Sequence, residues 1–315
     1  MEVGGLRVHV REVGTGAPLL LINGLGTHSA MWEPVEGAFG GLRLIEFDAP
    51  GTGRSRGTST VVTIPALAWL ATRVLDEVGV EHADVLGYSM GGVVAQALAV
   101  YAPERVRRLV LVSTTPGLGG VPGRLPAMLN VATPLRYYSA TYYDRTIGGM
   151  VGGRARTDRE WVARHGRLRR RHPPSLWGYL GQLASLGAWT NLPLLHRIGQ
   201  PTLVVTGDDD PLVPPANSAL LARWVPHSRL VVLPGEGHLL LMDEDSAALA
   251  PIRGFLTAET PEASPAWRES GPVDDADVAA AIVAAGRSYQ PWGAVSAAWR
   301  RAWPAVRPSA AASDV

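Results

Sequence analysis

The stretch Asp84-Val85-Leu86-Gly87-Tyr88-Ser89-Met90-Gly91-Gly92-Val93-Val94-Ala95 runs an apolar strand-like segment into a helix-forming one through Gly-x-Ser-x-Gly. Such a turn holds the serine in a strained backbone conformation, and glycines two residues before and after leave room for strand and helix to close around it. Ser89 is therefore expected on a nucleophile elbow, presented at the end of a strand. A serine hydroxyl is a poor nucleophile near neutral pH. It needs an imidazole to take its proton and a carboxylate to hold that imidazole in the right tautomer.

Both partners are available downstream. Pro201-Thr202-Leu203-Val204-Val205-Thr206-Gly207 reads as a buried β-branched strand that discharges into Asp208-Asp209-Asp210-Pro211. Three acids compete there. The third residue after the glycine, Asp210, is the expected orienting carboxylate, leaving Asp208 and Asp209 as solvated turn residues or partners of backbone N–H groups. The next strand, Arg229-Leu230-Val231-Val232-Leu233, leads through Pro234-Gly235-Glu236-Gly237 to His238, the expected general base. His165 and His172 read as surface residues of an arginine-rich helix, and His28 as a residue near the mouth of the site.

Acyl transfer also needs donors for a developing oxyanion. The N–H of Met90, at the start of the helix after Ser89, is one candidate. The N–H of Leu25, in the turn after the strand Leu19-Leu20-Leu21-Ile22, is the other, with Asn23 and Gly24 supporting that loop.

Outward from these motifs, Leu6–Val13, Pro18–Ile22 and Leu42–Asp48 read as strands, and helices are expected near Thr63–Val78 and Gly91–Tyr101. Strand–helix alternation implies a mostly parallel sheet covered on both faces, with its site at the strands' C-terminal ends. Asp48-Ala49-Pro50-Gly51-Thr52-Gly53-Arg54-Ser55 lacks the glycine spacing of a phosphate loop and reads as a tight turn at the rim. Residues 116–200 are too many for an ordinary connection and are expected to form a helical cap over a core made of 1–115 and 201–257. Its helices are expected at Pro134–Asp144, Thr157–Arg171 and Pro173–Leu186. Trp177, Tyr179 and Trp189 are candidates, with His28, for lining a substrate pocket.

The 315-residue chain has a formal charge of +1, so global electrostatics favour neither nucleic acid nor a strongly anionic partner. With no cysteine, disulfides, thiolate metal sites and a cysteine nucleophile are excluded, and no motif implies a metal or another cofactor. All 29 basic residues are arginine, which removes Ser-Lys and Schiff-base chemistry. The N-terminus lacks the layout of a signal peptide and no apolar run is long enough to span a bilayer, so the expected compartment is the cytoplasm.

From about Gly5 to Leu256 the chain resembles the α/β-hydrolase superfamily, because elbow, acid loop and Gly-His occur in that order. The resemblance implies an α/β-hydrolase fold of the eight-stranded type, mostly parallel, with helices on both faces. A narrower likeness rests on Pro18–Gly26, the cap stretch Gly178-Tyr179-Leu180-Gly181-Gln182-Leu183, Trp189-Thr190, Leu195-His196-Arg197-Ile198 and the unbroken Gln200–Leu212. These are similar to the intracellular medium-chain-length poly(3-hydroxyalkanoate) depolymerases, although Met90 stands where that family often carries Trp. The likeness implies a serine esterase acting on storage polyester, with a triad of Ser89, Asp210 and His238. A small-molecule carboxylesterase or lactonase and a slow-turnover ligand receptor are the alternatives. Beyond Thr257 the likeness ends: Thr257–Pro272 reads as a linker, Asp274–Gly286 as a helix with apolar Val278 and Ile282, and Pro291–Trp303 as an amphipathic Trp/Arg helix suited either to the hydrolase body or to a polyester-granule surface. Oligomeric state is not legible from the sequence.

Overall fold

Seven strands form the central sheet of this computed structural model, which describes residues 1–288 apart from Gly4 and Ser59. The chain opens with a two-stranded hairpin, β1 (Glu2–Val3) and β2 (Leu6–Arg7). It continues through β3 (Val10–Val13), β4 (Ala17–Ile22), β5 (Leu42–Phe47), α1 (Ile64–Glu77), β6 (Ala83–Tyr88), α2 (Met90–Tyr101) and β7 (Val106–Val112). The insertion holds α3 (Leu125–Val131), α4 (Leu135–Tyr138), α5 (Ala140–Val151), α6 (Arg159–Arg169) and α7 (Leu176–Gly187). The body resumes with β8 (Thr202–Gly207), α8 (Pro215–Trp224), β9 (Ser228–Leu233), α9 (Leu249–Thr257), α10 (Pro265–Glu269) and α11 (Asp275–Ser288).

Sheet order is β3-β5-β4-β6-β7-β8-β9, with only the β3–β5 pair antiparallel. The expected single strand Leu6–Val13 is broken in two: its first half pairs back on Glu2–Val3 and only its second half joins the sheet, which thus counts seven strands among the described residues. Parallel strands covered on both faces read as continuous apolar runs, and Leu19–Leu21, Val85, Leu86 and Leu109–Val112 are fully buried. Each such side chain contributes roughly 1.5–3 kcal/mol by leaving water. Among the ionisable groups of this core, the buried Asp84 carboxylate accepts two hydrogen bonds from Arg107, at 2.8 and 2.6 Å.

Local chemistry fixes the helices next to the site. The Thr63 hydroxyl caps α1 by accepting from Ala66 N–H, Pro65 sits in its first turn, and Gly79 at φ +69° ends it. Helix α2 is buried from Met90 to Val100, apolar on all sides but for Gln96, whose amide donates to Thr115 C=O.

The insertion is pinned at its root. Leu118 N–H donates to Trp189 C=O and Asn191 N–H to Pro116 C=O, both at 2.7 Å, while the buried Asn191 amide donates to Val93 C=O of α2 at 2.9 Å. The helices lie across the turns that follow β4 and β5: Ser175 N–H donates to Gly51 C=O, Gly26 N–H to the Gln182 side chain, and a Cβ on Gly178 would stand 2.5 Å from Gly51 O. Residues 257–272 do not form a linker. Helix α10 packs on α9, where Trp267 is buried and stacks on Phe255 at 5.8 Å. Helix α11 buries Val278 and Ile282 against α8. Pro291–Trp303 lies outside the described residues. Among those described, no helix is long and apolar enough to cross a membrane.

Candidate active site

Strand β6 delivers Ser89 at φ +54°, ψ −121°, a conformation L residues seldom adopt. Neighbouring backbone fixes it there. Ser89 N–H donates to Val112 C=O at 2.9 Å, and its own C=O accepts from the Thr114 hydroxyl at 2.6 Å and from Gly92 N–H. The glycines are sterically required: a Cβ on Gly87 would lie 2.5 Å from Gly91 O, and one on Gly91 only 2.0 Å from Ile22 O.

Ser89 Oγ is 3.0 Å from His238 Nε2, and His238 Nδ1 is 2.7 Å from Asp210 Oδ2. The other Asp210 oxygen accepts from the N–H groups of Leu212 and Val213 at 2.9 and 2.8 Å, so the carboxylate cannot rotate away. The His238 loop is held from both sides, its N–H by Val151 C=O of α5 and its C=O by the Tyr88 hydroxyl at 2.7 Å. Asp208 and Asp209 are spent elsewhere: Asp208 accepts from Gly235 N–H, and Asp209 from Gly153 N–H and the Arg156 guanidinium. That arginine pairing holds the Asp209 carboxyl below its usual range.

Leu25 and Met90 flank Ser89 in the wall of a cavity of about 320 Å³, and no protein acceptor takes either backbone N–H. Helix α2 points its positive end at this spot. The Leu25 loop is braced from the insertion, by Tyr137 donating to Leu25 C=O at 2.5 Å and by Gln182 accepting from Gly26 N–H. Gly24 also lines the cavity, with Ser89 Cβ 3.2 Å from where its Cβ would be. Asn23 braces nothing. Both its amide atoms are buried without a partner.

The four residues expected to line a substrate pocket do not. Trp177 is 80% exposed on the outer face of α7. Tyr179 is fully buried, donating to Val131 C=O and packed edge-on to Tyr137. Trp189 bonds Asn191 at the root of the insertion. His28 is buried against the C-terminus of α6, its Nε2 3.3 Å from Arg169 C=O, and burial pushes its pKa down to about 4. His165 is likewise no surface residue: it stacks on Trp161 and meets the Tyr143 hydroxyl at 2.5 Å, with burial holding its pKa well below the usual range. The real walls are aliphatic and glycine-rich. They come from Thr115, Gly117–Gly123, Met128, Val131, Met150, Leu183, Leu186 and Leu212, joined by Arg136 and Arg169. Aliphatic residues in a helical layer read first as helix-packing residues, so the sequence carried no signal that singled these out.

Comparison with known proteins agrees with this architecture. Residues 17–245 match the family described as alpha/beta hydrolase fold. A poly(3-hydroxyalkanoate) depolymerase of Ectopseudomonas oleovorans is 37% identical over 243 residues, covering 77% of this chain and 85% of that protein. A 2-hydroxymuconate semialdehyde hydrolase of Pseudomonas putida is 30% identical over 267 residues, covering 80% and 91%. Among solved structures, a hydrolase from Pseudomonas aeruginosa superposes with a TM-score of 0.68 at 27% identity, covering 82% of this chain and 97% of its own.

Proposed function

Starting from the chain's membership of the α/β-hydrolase family, within which it is a carboxylic ester hydrolase, we propose that it cleaves poly(3-hydroxyalkanoate) or its oligomers through an acyl-enzyme on Ser89. The observation that carries this reading is the unbroken hydrogen-bonded series Ser89–His238–Asp210 opening into a largely aliphatic cavity. His238 accepts the Ser89 proton as Oγ attacks the ester carbonyl, and Asp210 stabilises the imidazolium that forms. The N–H groups of Leu25 and Met90 receive the oxyanion. His238 then protonates the departing alkoxide, and on the second step it takes a proton from water, whose oxygen releases the acid from Ser89.

The insertion acts as a cap in this reading, walling the acyl group off from solvent. Aliphatic walls suit an alkyl side chain better than an ionic one. Leu118 and Met128 line the cavity and are also strongly exposed, and Leu125 and Leu129 stand exposed near them in the sequence. An apolar rim of this kind fits a polymer chain fed from a granule in the cytoplasm. A soluble ester or lactone is the second reading, favoured by the modest cavity volume. Suspensions of medium-chain polyester and of polyhydroxybutyrate decide between them. The proposal expects clearing of the medium-chain suspension by the native enzyme and none by Ser89→Ala. Clearing of neither, together with fast cleavage of soluble esters, establishes the second reading instead.

A further inference from the structure

Two guanidinium groups stand in the wall of the Ser89 cavity with no carboxylate to neutralise them. Arg136 and Arg169 are only 4% and 5% exposed. Arg136 Nη1 reaches the carbonyls of Asn130 and Thr133 at 3.4 and 3.2 Å, and its guanidinium stacks over the Tyr137 and Tyr179 rings at 4.8 and 5.1 Å. Arg169 Nη1 donates to the Tyr137 hydroxyl at 2.9 Å, and its guanidinium lies 5.2 Å from the same ring. The Nε of each is buried without an acceptor. Arg108, the other buried arginine, also lacks an acid but donates to four backbone carbonyls, those of Phe255, Leu256, Ala258 and Glu259, whereas the half-exposed Arg107 and Arg11 are matched by acids.

Burying a cation without a counter-ion is costly, and unlike Arg108 neither guanidinium here has acceptors for all its donors. A planar guanidinium with free donors matches a carboxylate bidentately. From this geometry we infer that Arg136 and Arg169 form a carboxylate subsite, and that the preferred substrate is an ester bearing a free carboxylate in the same molecule. The inference rests on the polyester reading and sharpens it. In a 3-hydroxyalkanoate oligomer the alcohol half of the last ester is itself a hydroxy acid, so its carboxylate sits a few bonds from the bond to be cut. The enzyme then trims oligomers at their acid end. Water is added across the last ester: the acyl carbon–oxygen bond breaks, the acyl group passes to Ser89 Oγ, and the departing hydroxy-acid oxygen takes the proton held by His238. Water then frees the shortened acid.

The test uses the 3-hydroxyoctanoate dimer as free acid and as methyl ester. In native enzyme the internal ester of the free acid is cleaved with kcat/KM roughly 10- to 100-fold higher, the range of a charge-assisted hydrogen-bonded pair. Calorimetric binding to Ser89→Ala, which does not turn over, shows the same preference. Adding Arg169→Met or Arg136→Met reduces it to less than about 3-fold, and Arg169→Lys restores part of it. Because Arg169 also holds Tyr137, the native-enzyme ratio stands as a readout that no misfolded variant can cloud. Equal rates and equal binding for acid and methyl ester overturn the subsite, as does a preference that survives both methionine variants. Hydrolysis of a neutral medium-chain ester by the native enzyme separately tests the esterase reading, so the two failures are distinguishable.

Discussion

In the sheet body, the three side chains of the Ser89–His238–Asp210 series are each held by hydrogen bonds that involve backbone groups. Ser89 is held by Val112 and Thr114, Asp210 by the two N–H groups that follow it, and His238 by a loop clamped at both ends. The insertion meets the same cavity differently. Its contribution depends on aromatic rings and arginines from separate helices that meet only in the folded chain: Tyr137 from α4, Tyr179 from α7 and Arg169 from α6. Ion pairs cross the junction as well, with the half-exposed Arg154 and Arg164 sharing the largely buried Asp243. Chemistry here is thus encoded in short motifs recognisable along the chain, whereas pocket shape is encoded in packing between separate helices.

The largest effect should come from the body. Ser89→Ala or His238→Ala lowers kcat on a neutral ester by roughly 10⁵- to 10⁶-fold, and Asp210→Asn by roughly 10⁴-fold. Steady-state kinetics check this, and a loss under 100-fold for Ser89→Ala would break the proposed assignment of the nucleophile. The elbow itself comes next. Gly91→Ala places a methyl group against Ile22 O, at 2.0 Å, and neither backbone has room to give. It should cost about 3 kcal/mol or more, read by urea unfolding. Gly149, in the insertion, has nothing within 4 Å of its missing Cβ, so Gly149→Ala should gain roughly 0.5–1 kcal/mol instead.

This contrast explains what the sequence could disclose. The Gly87–Gly91 elbow, the Asp210 turn and the Gly237–His238 pair are recognisable as short motifs, although the contacts that demand their glycines reach across the fold, Gly91 against Ile22 O and Gly237 against Val151 O. The parallel sheet was legible for a similar reason, since continuous apolar runs alternating with capped helices leave few other arrangements. Trp177 and Tyr179 sit two residues apart, and nothing local says which faces out. Helix α7 presents one to solvent and buries the other. Residues 257–272 misled because proline and serine clusters resemble a linker, although Ser264 caps α10 and Trp267 fills a gap beside Phe255. Arg169 lies in the arginine-rich helix and Arg136 carried no signal of its own, and only the closure of α4, α6 and α7 over the cavity withdraws both from water.

A third test separates the regions by pH. His28 and His165 are both kept neutral by burial where the insertion meets the body or packs on itself, with pKa about 4 for His28 and well below the usual range for His165. The unfolded chain binds a proton at each near pH 6.5, so it takes up protons the fold refuses as pH falls below that value. Their contribution is fully present above pH 6.5 and is lost as pH drops towards 4, at about 1.4 kcal/mol per pH unit for each histidine. His165→Gln, which keeps a partner for the Tyr143 hydroxyl, should flatten the slope of stability between pH 6.5 and 5 by about that amount. An unchanged slope in urea titrations would mean that His165 is protonated in the fold.

The smallest effect is expected at Trp177, and it is the sharpest check on the division between framework and wall. An 80% exposed indole on the outer face of α7 touches neither the Ser89 cavity nor the Tyr137–Tyr179 cluster. Trp177→Ala should therefore change stability by less than about 0.5 kcal/mol, as surface substitutions usually do, and leave kcat/KM on a soluble ester within about 2-fold. Leu118→Ser, at the exposed rim of the cavity itself, should instead raise KM for long acyl chains more than for short ones, because each buried methylene is worth about 0.8 kcal/mol only where the chain reaches the wall. Chain-length series on the two variants test the distinction directly. A Trp177 variant that lost selectivity for long chains would place the acyl path over the outside of α7 and not through the cavity beneath it.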